Sequence, residues 1–200
     1  MSITTAIAGA TGNLGLSITR QFLSPTLKPH LSRIIALTRD PSSAKANELR
    51  NLGAEIRAVD SSSDDSLRTA LEGADVVVNA IGSRSGDMKE KVLDAAVAVG
   101  AKVYFPSEFG VYVQSICSTL GQIADLQVSS DHRLNDFPGY EHSEWTTKRA
   151  HVERAKQLGA GKMKIISLYT GAFLEMIVSV SPLTFLLWVV LITKQSNSGI

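Results

Sequence analysis

The feature that most constrains the fold is an alternation along the chain. Short runs rich in β-branched residues, at 4–8, 33–38, 54–59, 75–81, 102–105 and 164–169, are separated by segments whose apolar residues recur at helical spacing. Leu14, Ile18, Phe22 and Leu23 share one face of the first such segment, and Val92, Leu93, Ala96 and Val99 share one face of residues 88–99. Residues 42–52, 65–71 and 88–99 are followed by Gly53, Gly73 and Gly100, the residue type that most readily ends a helix. Strand-sized runs alternating with helices call for βαβ units and a parallel sheet, because parallel neighbours need a long crossover between them. The run at 75–81 carries three consecutive valines. Strands so continuously apolar are buried on both faces, which predicts an α/β architecture with a doubly wound parallel sheet.

Composition narrows the class further. The chain has 200 residues, enough for one full-sized domain with its own core. It is 44% hydrophobic and 20% charged with a formal net charge of +1, so neither a disordered chain nor a broad basic surface for nucleic acid is expected. The single cysteine, Cys117, forms no internal disulfide framework and fits a reducing compartment. Residues 1–5 carry no basic stretch and no apolar run of the secretory kind, so a cytoplasmic location is expected.

The first strand-to-helix junction reads Gly9-Ala10-Thr11-Gly12-Asn13-Leu14-Gly15. Its glycines are spaced for a dinucleotide-binding Rossmann turn: Gly9 for the tight turn, Gly12 for backbone approach to a pyrophosphate, Gly15 for close packing of helix on strand. The N–H groups at the start of the helix behind them favour anions. Glycine triplets are common, but this one follows a strand and opens a helix at the head of a βαβ series. Gly9, Thr11, Gly12, Asn13, Leu14 and Gly15 are therefore expected to line a cofactor.

The end of the second strand decides which cofactor. A site for NAD(H) places an acid there for the ribose 2′-hydroxyl, whereas this strand ends Leu37-Thr38-Arg39-Asp40. Arg39 is suited to stack on adenine and pair with a 2′-phosphate, and Thr38 supplies a compatible hydroxyl. Asp40 comes late for the ribose and precedes Pro41, which fits a turn or helix cap. Lys45 is available either to the same phosphate or to solvent. The expected cofactor is NADP(H), with Thr38 and Arg39 added to its site.

Together with Phe105-Pro106-Ser107-Glu108-Phe109-Gly110, these segments resemble the NmrA-like and isoflavone reductase-like proteins, atypical relatives of the short-chain dehydrogenases. The resemblance runs from about Ile3 to Glu175. It implies an NADPH-dependent reductase of a small, aromatic or phenylpropanoid-like substrate, with a helix lysine as general acid/base. Lys148, in Thr146-Thr147-Lys148-Arg149-Ala150-His151, matches that lysine. Glu144 stands where typical short-chain dehydrogenases carry their tyrosine, in keeping with the atypical group. A lysine desolvated beside a nicotinamide has its pKa lowered and can move a proton. It can also hold the nicotinamide ribose, or simply belong to a cationic helix face with Arg149, Arg154 and Lys156. A non-catalytic, NADP(H)-sensing regulator of the NmrA type is the alternative the resemblance leaves open.

Other polar positions are expected to matter less. Asn79 and Gly82 close the fourth strand at the edge that faces the cofactor; Gly82 allows close approach, while Asn79 satisfies a buried backbone group. Asp60 either reaches the adenine or caps the next helix, and Ser107 and Glu108 follow the fifth strand at the same edge. His132, His142 and His151 show no metal-ligand spacing, so no metal is expected. Residues 111–144 lack clear periodicity, and within them 131–140 reads as a polar loop placed to cover the nicotinamide, with Phe137 or Tyr140 against substrate. The expected division is a binding domain over residues 1–175 and an apolar tail over 176–200. The uncharged stretch 176–192 is marginal for a bilayer and interrupted by Pro182, so truncation of the substrate-binding part is favoured over a membrane contact.

Overall fold

The computed structural model describes residues 3–82, 85–108 and 143–168. In chain order these form β1 (Thr4–Ala8), α1 (Asn13–Phe22), a 3₁₀ turn (Lys28–His30), β2 (Arg33–Thr38), α2 (Ala44–Leu52), β3 (Glu55–Ala58), α3 (Asp64–Leu71), β4 (Val76–Asn79), α4 (Met88–Ala98), β5 (Val103–Phe105), α5 (Ser143–Gly159) and β6 (Lys164–Ile165). The strands lie in one sheet in the order β3-β2-β1-β4-β5-β6, and every pairing is parallel. Strand order reverses between β1 and β4, so the crevice at their carboxyl ends is the topological switch point where ligands of such folds sit. The doubly wound α/β sheet expected from the alternation is present.

Period-two alternation along the central strands explains why helices cover both faces. Ala6 and Ala8 of β1, Ile35 and Leu37 of β2, Val77 of β4 and Tyr104 of β5 pack with Leu67, Leu71, Val92, Leu93, Ala96 and Ala155 from α3, α4 and α5. The intervening residues Ile7, Ile34, Ala36 and Val78 pack on the other side with Leu16, Leu23 and Leu49 from and beside α1 and α2. All five residues of β1 are buried. Two cores on one sheet account for the valine-rich β4, which has no solvent face to be polar on.

Capping marks the element ends. Ser43 caps α2 by accepting from Ala46 N, and Ser63 caps α3 by accepting from Ser66 N. Gly53 closes α2 at φ 103°, where its N–H bonds to the Leu49 and Arg50 carbonyls. The sixth strand is shorter than the apolar run suggests, covering Lys164–Ile165 only. Among the described residues no helix is long and apolar enough to cross a membrane. The long loop with Phe137 and Tyr140, Cys117, and the apolar stretch 176–192 lie outside the described residues.

Candidate dinucleotide site

The glycine turn is shaped by contacts that admit no side chain. Gly9 sits at φ +80°, and a Cβ there would lie 3.0 Å from the Ala80 carbonyl oxygen and 3.3 Å from Ile81 Cγ1. A Cβ on Gly15 would lie 2.0 Å from the Gly9 carbonyl oxygen and 3.0 Å from Ala10 Cα. Gly12 N donates to that same Gly9 oxygen at 2.9 Å, closing the turn, and Gly12 O accepts from Leu16 N at 2.8 Å. Gly15 thus lets α1 press against β1, and Gly9 lets the turn press against the end of β4. Gly12 is exposed and stands at the N-cap of α1 with no side-chain cap and no acid in the first turn. The first turn of this helix thus carries no carboxylate of its own, which suits an anion at its N–H groups. Asn13 is exposed at the first position of α1, and Leu14 is half-buried behind it.

The second strand delivers its end to the same place. Thr11 Oγ1 and Thr38 Oγ1 are 3.2 Å apart, which ties the glycine turn to the end of β2. Thr38 is buried while Arg39 beside it is exposed. Thr11, Thr38, Arg39, Asp40, Ser43 and Lys45 line one open cleft of about 210 Å³. Asp40 is turned away from a ribose role: its carboxylate accepts from Ser42 N at 3.0 Å and Ser42 Oγ at 2.6 Å, and the Ser42 hydroxyl above all lowers its pKa. The sequence reading of Asp40 as a turn residue holds, and the helix cap is Ser43. Asp60 likewise accepts from Ser62 N and Oγ, and Ser63 rather than Asp60 caps α3. A larger open groove of about 870 Å³ runs along the edge strand β3 and α3, lined by Arg33, Arg57, Ser66 and Glu72 among others. It lies two strands from β1, away from the glycine turn.

The carboxyl ends of β4 and β5 form the opposite wall. Ser107 Oγ donates to the Ile81 carbonyl at 2.8 Å, and Glu108 is buried immediately after it. Gly82 is exposed, and a Cβ there would meet open space, so the fold itself does not require glycine at that position. Lys148 is 5% exposed, whereas Arg154 and Lys156 of the same helix pair with Glu90 and Asp94, and with Glu153. It occupies the buried stripe with His151, Val152 and Ala155 rather than the cationic outer face. Since α5 leads from β5 into the parallel β6, its beginning lies toward the carboxyl edge of the sheet, where the glycine turn also is.

Sequence reasoning missed one buried polar cluster. Asn79, Tyr104 and His151 are 0%, 0% and 5% exposed and hydrogen-bonded in series. Burial, above all, pushes the Tyr104 phenol pKa well above its ordinary range. The only hint in the sequence is that His151 falls one turn after Lys148 on an otherwise apolar stripe. No group of side chains among the described residues could hold a metal ion.

The family model that matches the chain is that of the NmrA-like family, over residues 1–120. The chain belongs to the NmrA-like family. An NmrA-like family domain-containing oxidoreductase of Aspergillus hancockii is 35% identical over 106 residues, 48% of this chain and 30% of that protein. One of Penicillium ochrochloron is 31% identical over 107 residues, 48% of this chain and 31% of that protein. The chain thus spans about a third of the length of the curated relatives it matches. Among solved structures, an isoflavone reductase aligns with a TM-score of 0.56 at 18% identity, covering 84% of this NmrA-like chain and 48% of its own. The leucoanthocyanidin reductase of Vitis vinifera, solved with NADPH, aligns with a TM-score of 0.55 at 22% identity, covering 82% and 48%. These likenesses establish the fold.

Proposed function

We propose that this NmrA-like chain binds NADP(H) at the β1–α1 turn and serves an NADPH-dependent reduction of a small, aromatic or phenylpropanoid-like substrate. The observation that carries the reading is the cleft in which Thr11, Thr38, Arg39, Ser43 and Lys45 meet beside the glycine turn. The residues fit the group: three glycines keep side chains out of the cradle, α1 offers uncapped N–H groups, and Arg39 and Lys45 give the far end the charge a 2′-phosphate needs. Gly9, Thr11, Gly12, Asn13, Leu14 and Gly15 would hold the pyrophosphate region, Thr38 and Arg39 the adenosine phosphate, and Gly82 the approach toward the nicotinamide.

NADPH, when bound, supplies the hydride. Lys148 is the proton donor in this reading, with the supporting observation that it is buried on the inner stripe of α5. A lysine at that place is a donor able to pass a proton to a reacting oxygen or carbon. Residues 1–175 are taken as the binding domain and the cytoplasm as the compartment, in keeping with the single cysteine. The solved relatives lend analogy: one was captured with NADP⁺ and (+)-pinoresinol.

The test is a titration of the purified chain with NADPH, NADP⁺ and NADH by calorimetry and nicotinamide fluorescence, followed by a substrate screen. Tight NADPH binding with weak NADH binding and Lys148-dependent turnover is the expected result. Equal affinity for NADPH and NADH would refute the phosphate assignment. NADPH binding with no turnover of any aromatic or enone substrate would favour the regulator over the reductase.

A further inference from the structure

Four side chains that the cofactor reading does not use form one hydrogen-bonded chain through the interior. Asn79 closes β4, Tyr104 lies in β5, His151 on α5 and Glu90 on α4. Asn79 Nδ2 donates to the Tyr104 hydroxyl oxygen at 2.8 Å and to the Lys89 carbonyl at 3.2 Å. The Tyr104 hydroxyl and His151 Nε2 lie 3.0 Å apart, and the phenol donates there when the imidazole carries its proton on Nδ1. In that tautomer the Nδ1 proton faces Glu90 Oε1. The second Glu90 oxygen accepts from Arg154 Nη1 at 2.9 Å, and Arg154 Nη2 donates to Asp94 at 2.6 Å. The series runs from a half-exposed ion pair to the end of β4, and each step satisfies the next.

Two members of this series stand beside the proposed site. At the inner end, Asn79 Oδ1 accepts the Ile81 N–H at 3.2 Å while Ser107 Oγ donates to the Ile81 carbonyl at 2.8 Å. Ile81 is therefore held on both sides of its backbone, in the turn that abuts Gly9 at the switch point. Two steps along, His151 stands three residues from Lys148 on α5, and both are buried. Residues so spaced share a helix face, so fixing the rotation of α5 at His151 fixes it at Lys148.

We propose that Asn79, Tyr104, His151 and Glu90 are positioning residues that lock the turn after β4 to the Lys148 face of α5, and so shape the nicotinamide side of the dinucleotide cleft. The proposal rests on the cofactor reading above. The order Tyr–His–Glu has the form of a proton relay, but Tyr104 is fully buried with its hydroxyl committed to Asn79 and His151, so its action is geometric.

The test compares two probes on the full chain: NADPH, which reaches the nicotinamide wall, and adenosine 2′,5′-bisphosphate, which reaches only the adenosine end. Tyr104→Phe and His151→Leu each remove one step, whereas His151→Gln keeps an amide oxygen able to accept from Tyr104. The expected result for the first two is an NADPH affinity lower by about tenfold, the effect of one unsatisfied buried hydrogen bond, with bisphosphate affinity within about twofold of wild type. Emission of bound NADPH falls with them and returns in His151→Gln. A folded Tyr104→Phe chain with wild-type NADPH affinity and emission overturns the proposal. Equal losses for both probes also overturn it, since they would mean general loosening. Should His151→Leu fail to fold, Tyr104→Phe against His151→Gln decides. A wild-type chain that binds neither probe fails the cofactor reading itself, and the positioning proposal falls with it before any substitution is made.

Discussion

Two substitutions three residues apart separate folding from binding at the glycine turn. A Cβ added at Gly15 would lie 2.0 Å from the Gly9 carbonyl oxygen, 2.7 Å from its carbon and 3.0 Å from Ala10 Cα. All three atoms are main chain, so no rotamer change can relieve the overlap. Overpacking of this kind costs about 3 kcal/mol, at the upper end of the usual range, because α1 must move off β1. Alanine recovers about 1 kcal/mol of helix propensity at this helical position. The net is about 2 kcal/mol, which for a chain of this size lowers Tm by roughly 4–8 °C. At Gly12 an added Cβ would meet, among the described residues, only the Gly9 oxygen at 3.1 Å, and φ is an ordinary −70°. Gly12→Ala should therefore cost the fold about 0.5–1 kcal/mol, mostly as a poorer N-cap, yet place a methyl group where the pyrophosphate must approach. Melting followed by circular dichroism and NADPH titration by calorimetry read the two effects apart. Gly15→Ala loses stability and binding together; Gly12→Ala keeps most of its Tm and loses at least about tenfold in affinity, as a blocked backbone contact implies. A wild-type Tm in Gly15→Ala would refute the packing argument, and unchanged affinity in Gly12→Ala would refute Gly12 as the phosphate cradle.

Three further outcomes follow from other parts of the fold. Arg39→Asp should reduce NADPH affinity by roughly 10–100-fold, the loss of a charge-assisted contact, while improving NADH; parallel titrations giving unchanged selectivity would remove Arg39 from the phosphate site. Lys148→Met should abolish turnover of any substrate found while leaving the NADPH Kd within about threefold, because a proton donor acts in the transition state rather than in cofactor binding. The Glu55 carboxyl is held at about 2, first by its hydrogen bond to Arg33 and then by Arg57. A depressed pKa stabilises the fold above the unfolded value near 4.5, and that stability is lost as pH falls from there through about 2. With Glu55 38% exposed, solvent screening limits the effect to less than about 1 kcal/mol. Wild type should exceed Glu55→Gln in chemical denaturation at pH 7 and lose that margin by pH 2; a margin independent of pH would contradict the pairing.

Much of the architecture was legible because the signals are local. Ile7 and Ala6 alternate between two cores, and a strand flanked by helices on both faces must be apolar throughout, so β1, β2 and β4 announce themselves in the sequence. The glycine turn was legible for the same reason: Gly9, Gly12 and Gly15 lie within one short turn, with Gly15 needed because the Gly9 and Ala10 backbone lies beneath it. Asp60 was ambiguous from sequence, since an aspartate before a helix can cap it or turn the chain. The choice went to Ser63, which stands directly before α3. The end of β6 was overextended because apolar residues past Ile165 continue the pattern while the pairing with β5 stops.

What sequence could not give is the buried polar series, and the reason lies in chain separation. Asn79 meets Tyr104 at 25 residues' distance, Tyr104 meets His151 at 47, and His151 meets Glu90 at 61. No local pattern encodes such contacts; they exist only once β4, β5, α4 and α5 are stacked. Read alone, Asn79 satisfies one backbone group, His151 is a stray histidine and Tyr104 a core aromatic. Assembled, Asn79, Tyr104 and His151 offset part of one another's cost of burial, so removing the Tyr104 hydroxyl takes one partner from each of its two buried neighbours. That interdependence distinguishes a positioning network from four separate core residues. Single losses at Tyr104 and His151 should not add in a double mutant, because the second removal acts on a series already broken. Additive losses would return these residues to independent packing.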